Sequence, residues 1–144
     1  MQDLAKFVLT VNVGAIGACI GSFMNLAMYR LPIMIRGGRE LRRRFNLRHP
    51  RSACPECRSD LRGRDNVPMI SFVARRGRCF GCQNPIPLRY FLVETIGAAS
   101  FSCAGWSIAS LDVPAAWCIL CALAVTITAA YTAWHAPSPS RRIG

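Results

Sequence analysis

The 144-residue chain is 52% apolar, yet it carries a formal net charge of +11 and has a mean hydropathy of +0.26. An ordinary soluble domain does not combine these values, so basic and apolar residues must be segregated along the chain. They are: Arg30 to Arg89 holds 15 of the 18 Lys and Arg residues, and the flanks hold the long apolar runs.

The first element is read over residues 1–32. Phe7 to Tyr29 is 23 residues without charge, bounded by Lys6 and Arg30, and a membrane span needs about 20. A cleaved signal peptide fits poorly. The run is longer than a usual signal core, Asp3 interrupts the basic start, and no small-residue cleavage site precedes a soluble domain. Gly17 and Gly21, with Gly14 and Ala18 nearby, predict a face for close helix contact. Asn25 continues that stripe as an amide that wants a partner helix. Tyr29 and Arg30 are expected at the membrane interface as aromatic and snorkelling anchors.

Residues 33–90 form the basic loop. Arg36 to Arg51 carries seven arginines and one glutamate, expected to set topology and adhere to anionic lipid headgroups. Next come Cys54-x-x-Cys57 and Cys79-x-x-Cys82, with 21 residues between the pairs. Two such knuckles present four thiolates tetrahedrally to Zn²⁺. Pro55 tightens the first turn, and Gly81 lets backbone N–H groups of the second approach sulfur. Four thiolates close the coordination shell, so this zinc is structural and not hydrolytic. Two disulfides are the rival, disfavoured in a cytoplasmic loop that meets a reducing pool. Nucleic-acid binding is also disfavoured, because Phe45, Phe72 and Phe80 are isolated and build no stacking surface. Asp65-Asn66-Val67-Pro68 reads as a turn.

The second span is placed at 91–111, the third at 113–135 and a tail at 136–144. Glu94 interrupts the second, leaving Thr95 to Leu111 as 17 uncharged residues, the lower edge for a span. An ionisable residue there is a functional candidate. It divides between capping a helix or pairing a loop arginine and contacting a substrate. Cys19, Cys103, Cys118 and Cys121 read as small apolar residues. The fold class is therefore a membrane α-helical protein with three transmembrane helices and a zinc-ribbon-like insert. Basic loops stay cytoplasmic, which puts the insert and the Arg141-Arg142 tail inside, and the N-terminus and Asp112 outside.

"GSFMNLAMYRLP" (Gly21 to Pro32), the two CxxC pairs, "DNVPMISF" (Asp65 to Phe72), "RGRCFGC" and "NPIPLRYFLVETIG" (Asn84 to Gly97) resemble, in that order, the N-terminal part of bacterial type IV prepilin peptidases. That family is polytopic in the bacterial inner membrane. It removes prepilin and pseudopilin leaders and commonly N-methylates the new terminus with S-adenosylmethionine. The resemblance implies substrate- or methylation-linked roles for Asn25, Arg30, Asp65, Asn66, Gly77, Arg78 and Glu94. Gly77-Arg78 falls where the family has a Gly-Lys or Gly-Arg pair. No glycine-rich nucleotide loop supports methyl transfer independently. The family's catalytic aspartates lie in later helices. With Pro137 set on the family proline, Ala130 stands at the first aspartate and Ser138 at the second acid, so no catalytic residue is assigned.

The expected function is a prepilin-peptidase-like N-terminal module, ending before the catalytic aspartates. It would act as scaffold, docking module or half of a split enzyme whose other half supplies the aspartates. Whether it is itself an enzyme stays open. The alternatives are a stand-alone pilin N-methyltransferase and a membrane-tethered zinc adaptor.

Overall fold

In the computed structural model, residues 1–37, 45–54, 56–61, 63–110 and 114–135 are described. The side chains of Arg64 and Asp65 lie outside the description, and so do the expectations for Ser138, for the 136–144 tail and for much of the arginine run.

Helix α1 spans Gln2–Arg36, a 3-10 turn Gly63–Asn66, α2 Ile70–Ala74, α3 Leu88–Ser110 and α4 Ala115–His135. Helices α1, α3 and α4 are long and apolar enough to cross a membrane. At 35 residues, α1 is about 52 Å long, well beyond an apolar core of about 30 Å. It runs on through Pro32 to Arg36, where the Gly37 N–H closes it on the Ile33 carbonyl. Proline also marks two starts. Pro85 and Pro87 precede α3, whose Tyr90 N–H bonds the Pro87 carbonyl; Pro114 likewise receives the N–H groups of Trp117 and Cys118 at the start of α4. Proline's fixed φ suits a first turn, where its missing N–H would have no intrahelical partner.

Helices α1 and α3 pack backbone to backbone. A Cβ on Gly17 would collide with the Gly97 carbonyl and the Phe101 ring, and one on Gly21 would come within 2.8 Å of the Val93 carbonyl. The fit at Gly105 is less extreme, where a Cβ would come within 3.1 Å of Val13 and 3.2 Å of Thr10. Glycine normally weakens a helix by about 0.5–1 kcal/mol relative to alanine. Here the close approach that it permits supplies the van der Waals contact that lipid cannot. The contact order also fixes direction. Gly105 meets Thr10, Gly97 meets Gly17 and Val93 meets Gly21, so α1 and α3 are antiparallel.

Helix α4 buries Ala122, Thr126 and Ala130, one residue per turn. Thr126 is fully buried, and its hydroxyl is satisfied by donating to the Ala122 carbonyl at 2.8 Å. Ser100 Oγ of α3 stands 3.3 Å from Thr126 Oγ1. Around Phe101, Ala104 and Ala122 gather Val13, Ile20, Cys118 and Leu123. At one end of the bundle, Tyr29 of α1 meets Trp134 of α4 edge-on at 5.9 Å, and the Arg89 guanidinium lies 4.8 Å from the Trp134 ring centre. The insert and the end of α4 therefore share one side of the bundle.

Candidate metal centre and its seat on the bundle

The two knuckles are built to one plan. In the first, Cys54 N–H bonds the Ser59 carbonyl and Arg58 N–H bonds the Cys54 carbonyl; in the second, Cys79 N–H bonds the Asn84 carbonyl and Gln83 N–H bonds the Cys79 carbonyl. The offsets are identical. Each knuckle closes with an antiparallel bridge, Ala53 to Asp60 and Arg78 to Pro85, again at equal offsets. Each also needs a left-handed residue four positions after its first cysteine, met by Arg58 at φ 56° and Gln83 at φ 60°. Non-glycine residues rarely adopt that conformation, and here the doubled hydrogen-bond pattern imposes it.

The result is four sulfurs within 4.8 Å of one another, from Cys54, Cys57, Cys79 and Cys82. Cys54 Sγ to Cys82 Sγ is 3.9 Å, and Cys57 Sγ to Cys79 Sγ is 3.9 Å. Zn–S bonds of about 2.3 Å in a tetrahedron require sulfur–sulfur edges of about 3.8 Å. A disulfide requires about 2.05 Å. The donor set fits a tetrahedral thiophilic ion, and both of these close pairs join one knuckle to the other. A metal would cross-link one knuckle to the other.

Local dipoles prepare the sulfurs. The N–H groups of Cys82 and Gly81 hold the Cys79 thiol down at about 6; the Gly81 nitrogen is 3.4 Å from that sulfur. The Ser59 hydroxyl, 3.0 Å from Cys57 Sγ, is the main cause that lowers the Cys57 thiol. Against the lowering effect of the Asn84 N–H, desolvation and the three neighbouring thiols push Cys82 up to about 11. Four like groups crowded this closely resist ionising together, and a dication removes that conflict. A Cβ on Gly81 would come within 3.0 Å of Ser59 Oγ and 3.4 Å of Cys57 Sγ, so glycine leaves room for the first knuckle to close.

Three ties seat the insert on the bundle, and one bond joins the helices beneath it. Asn25 Nδ2 of α1 donates to the Tyr90 carbonyl of α3 at 3.2 Å. Glu94 Oε2 of α3 accepts the Met69 N–H at 2.8 Å. The Phe72 and Phe91 rings stack at 5.0 Å. Gly77, at φ +67°, leaves the space that Phe72 fills.

Arg30 makes the third tie and corrects the interfacial-anchor expectation. It is buried, and its NH1 and NH2 donate to the Asn46 and Pro50 carbonyls at 2.6 Å each. Its guanidinium also lies 5.3 Å from the Phe45 ring centre. Two carbonyls in fixed positions outcompete headgroups for a planar fork of donors. Asn46 stiffens the same loop, its Oδ1 accepting the N–H groups of Arg48 and His49.

Of the residues linked by resemblance to substrate or methylation, Asn25, Gly77 and Glu94 therefore lie at the junction of insert and bundle. Arg30 clamps the 45–50 loop. Asn66 ends the 3-10 turn, and Arg78 sits in the second knuckle's bridge. Sequence reasoning missed α2 and with it Met69, whose φ of 60° starts that helix. It also missed Arg89, Phe72 and Phe91 as structural partners. A Pro-Met-Ile-Ser-Phe run after a turn was the available signal, too short to separate helix from strand.

The family model of the bacterial peptidase A24 N-terminal domain matches residues 15–108. A prepilin leader peptidase/N-methyltransferase of Neisseria gonorrhoeae is 32% identical over 78% of this chain and 44% of its own length. A protein of the same name from Burkholderia pseudomallei (strain 1026b) is 40% identical over 58% of this chain and 32% of its own. A type 4 prepilin-like proteins leader peptide-processing enzyme of Escherichia coli O78:H11 is 37% identical over 72% of this chain and 44% of its own. The chain thus spans less than half the length of these relatives. No solved structure matches it.

Proposed function

The chain belongs to the bacterial peptidase A24 N-terminal domain family, and from that premise we propose that it is the zinc-bearing membrane module of a prepilin-processing system. It would hold Zn²⁺ through Cys54, Cys57, Cys79 and Cys82 in the inner membrane, with the insert in the cytoplasm. Its role is to position prepilin or pseudopilin leaders for an aspartate-bearing half. The observation that carries this reading is the seat of the insert. Glu94 and Phe91 hold α2, which lies between the two knuckles in sequence, against the start of α3, and Arg30 holds the 45–50 loop on α1, where a substrate crossing from cytoplasm to membrane would pass.

The same geometry argues against peptidase chemistry within these residues. An aspartic peptidase needs two carboxyl groups near enough to share a proton. Glu94 is engaged by the Met69 N–H at the insert end of α3. Asp112 follows the opposite end of that helix in sequence, and Ala130 packs within the bundle. The relatives' names include N-methyltransferase activity, which leaves S-adenosylmethionine as the cofactor of the second reading. The pocket lined by Arg75, Arg76, Arg78, Phe80 and Gln83 is about 170 Å³. That is below the roughly 300–1,000 Å³ of sites for ligands of drug size, so it does not favour the second reading.

Purified chain is incubated with a prepilin in detergent, alone and together with the aspartate-bearing half of a relative. Leader removal only in the mixture, with the two proteins co-purifying, is the expected result. Leader removal by this chain alone would overturn the proposal.

A further inference from the structure

The insert carries apolar residues that remain largely exposed to solvent. On α2, Ile70 is 68% exposed and Val73 is 63% exposed, and on the second knuckle Phe80 is 61% exposed. Ile70 and Val73 are three apart and share one helix face, while Phe72 turns the other way onto Phe91. In a loop surrounded by water such residues would be a liability.

Their depth explains them. Glu94 holds the first turn of α2 through Met69, and Phe91 holds its middle. Glu94 is six residues into α3, about 9 Å along its axis. It is also the last charged residue before the uncharged run of that helix, and Arg89 is the last cation. Leu88, Leu92 and Ile96, on the outer face of α3, are themselves exposed. Helix α2 therefore lies level with the edge of the apolar zone, not above it.

Charge follows directly. Arg75, Arg76 and Arg78 succeed α2 and line one shallow pocket with Phe80 and Gln83, and the Arg75 guanidinium lies 5.0 Å from the Phe80 ring centre. Apolar residues at the acyl boundary with cations beside them are the pattern of an interfacial helix. The surface is continuous with the boundary that α3 crosses, and its positive charge complements lipid phosphate.

We propose that α2 and the second knuckle are an interfacial membrane-docking surface. Ile70 and Val73 enter the acyl–headgroup boundary, and Arg76 and Arg78 select anionic headgroups. The metal knot thus lies down on the bilayer rather than standing free of it.

The full chain, zinc-loaded, is placed in nanodiscs of three parts phosphatidylcholine to one part phosphatidylglycerol. A benzophenone amino acid replaces Ile70, Val73 or, as an aqueous control on the first knuckle, Arg58. After irradiation, mass spectrometry reads the adducts. Lipid adducts are expected at positions 70 and 73 and not at 58. The ratio of phosphatidylglycerol to phosphatidylcholine adducts should exceed the bulk ratio by about fivefold, the effect of one cation near an anionic surface, and Arg76→Gln/Arg78→Gln should return it to bulk. Metal content of each variant shows that the knuckles remain folded. Absence of lipid adducts at 70 and 73, equal labelling at 58, adducts only to protein, or enrichment that survives the double substitution would each overturn the proposal.

Discussion

Glu94, on a membrane helix, accepts a hydrogen bond at 2.8 Å from the backbone N–H of Met69, 25 residues earlier in the chain. The bond supplies an acceptor to the first turn of α2, which has no side-chain cap of its own. It also holds Met69 at φ 60°, a conformation that its side chain disfavours. A carboxylate near a helix start gains further from exposed N–H groups.

Glu94→Ala is expected to free α2 from the bundle while leaving α3 helical. Removing a charged acceptor from a partly buried N–H costs about 1.5–3 kcal/mol. Hydrogen exchange should show faster exchange confined to residues 69–75, and Glu94→Gln should fall between wild type and alanine. Unchanged protection over 69–75 would deny the tie.

Arg30→Lys should fail where a merely cationic role would succeed. An ammonium on a flexible stem does not reproduce a planar fork reaching two carbonyls. Charged hydrogen bonds are worth about 1.5–3 kcal/mol each. Limited proteolysis should cut the 45–51 segment of Arg30→Lys sooner than wild type. Equal cutting rates would restore the anchoring role.

These two residues show where the sequence was legible. The three long helices were readable because uninterrupted apolar length is a local property, and the knuckles because CxxC spacing dictates its own geometry. The glycine face was readable from Gly14, Gly17 and Gly21 alone. What Arg30 and Glu94 do was not, because their partners are backbone groups of Asn46, Pro50 and Met69. Backbone donors and acceptors exist at every residue, so no pattern marks those that will be used. Helix α2 is five residues long and is held by tertiary contacts, which propensity does not record.

Gly17→Ala should destabilise the bundle despite alanine's better helix propensity. The added Cβ meets the Gly97 carbonyl and Phe101, and backbone cannot yield as a flexible side chain can. Overpacking of this kind costs about 1–3 kcal/mol. Thermal unfolding in detergent should begin at lower temperature for Gly17→Ala, whereas Ala15→Gly, on the exposed face of α1, should lose only propensity, about 1 kcal/mol. A bundle stabilised by Gly17→Ala would refute the close-packing account.

Single-cysteine accessibility in whole cells tests the topology. A cysteine at position 45 should stay protected from an impermeant maleimide, and one at position 112 should react, following the confinement of basic loops to the cytoplasm. The reverse pattern would place the insert outside and remove the argument against disulfides.

The metal content of the purified chain tests the central claim most directly. Elemental analysis after purification under reducing conditions should find about one Zn²⁺ per chain. Cys79→Ser, or acidification, should release it, because protons compete for the thiolates and affinity falls as pH falls. The Cys79 thiol, held at about 6, remains largely ionised at neutral pH, whereas Cys82, raised to about 11 without metal, must shed its proton as the ion binds. Loss of the ion should also loosen residues 52–61 and 78–85. Protein that contains no zinc, or that carries its four knuckle thiols as disulfides in freshly lysed cells, would contradict the account.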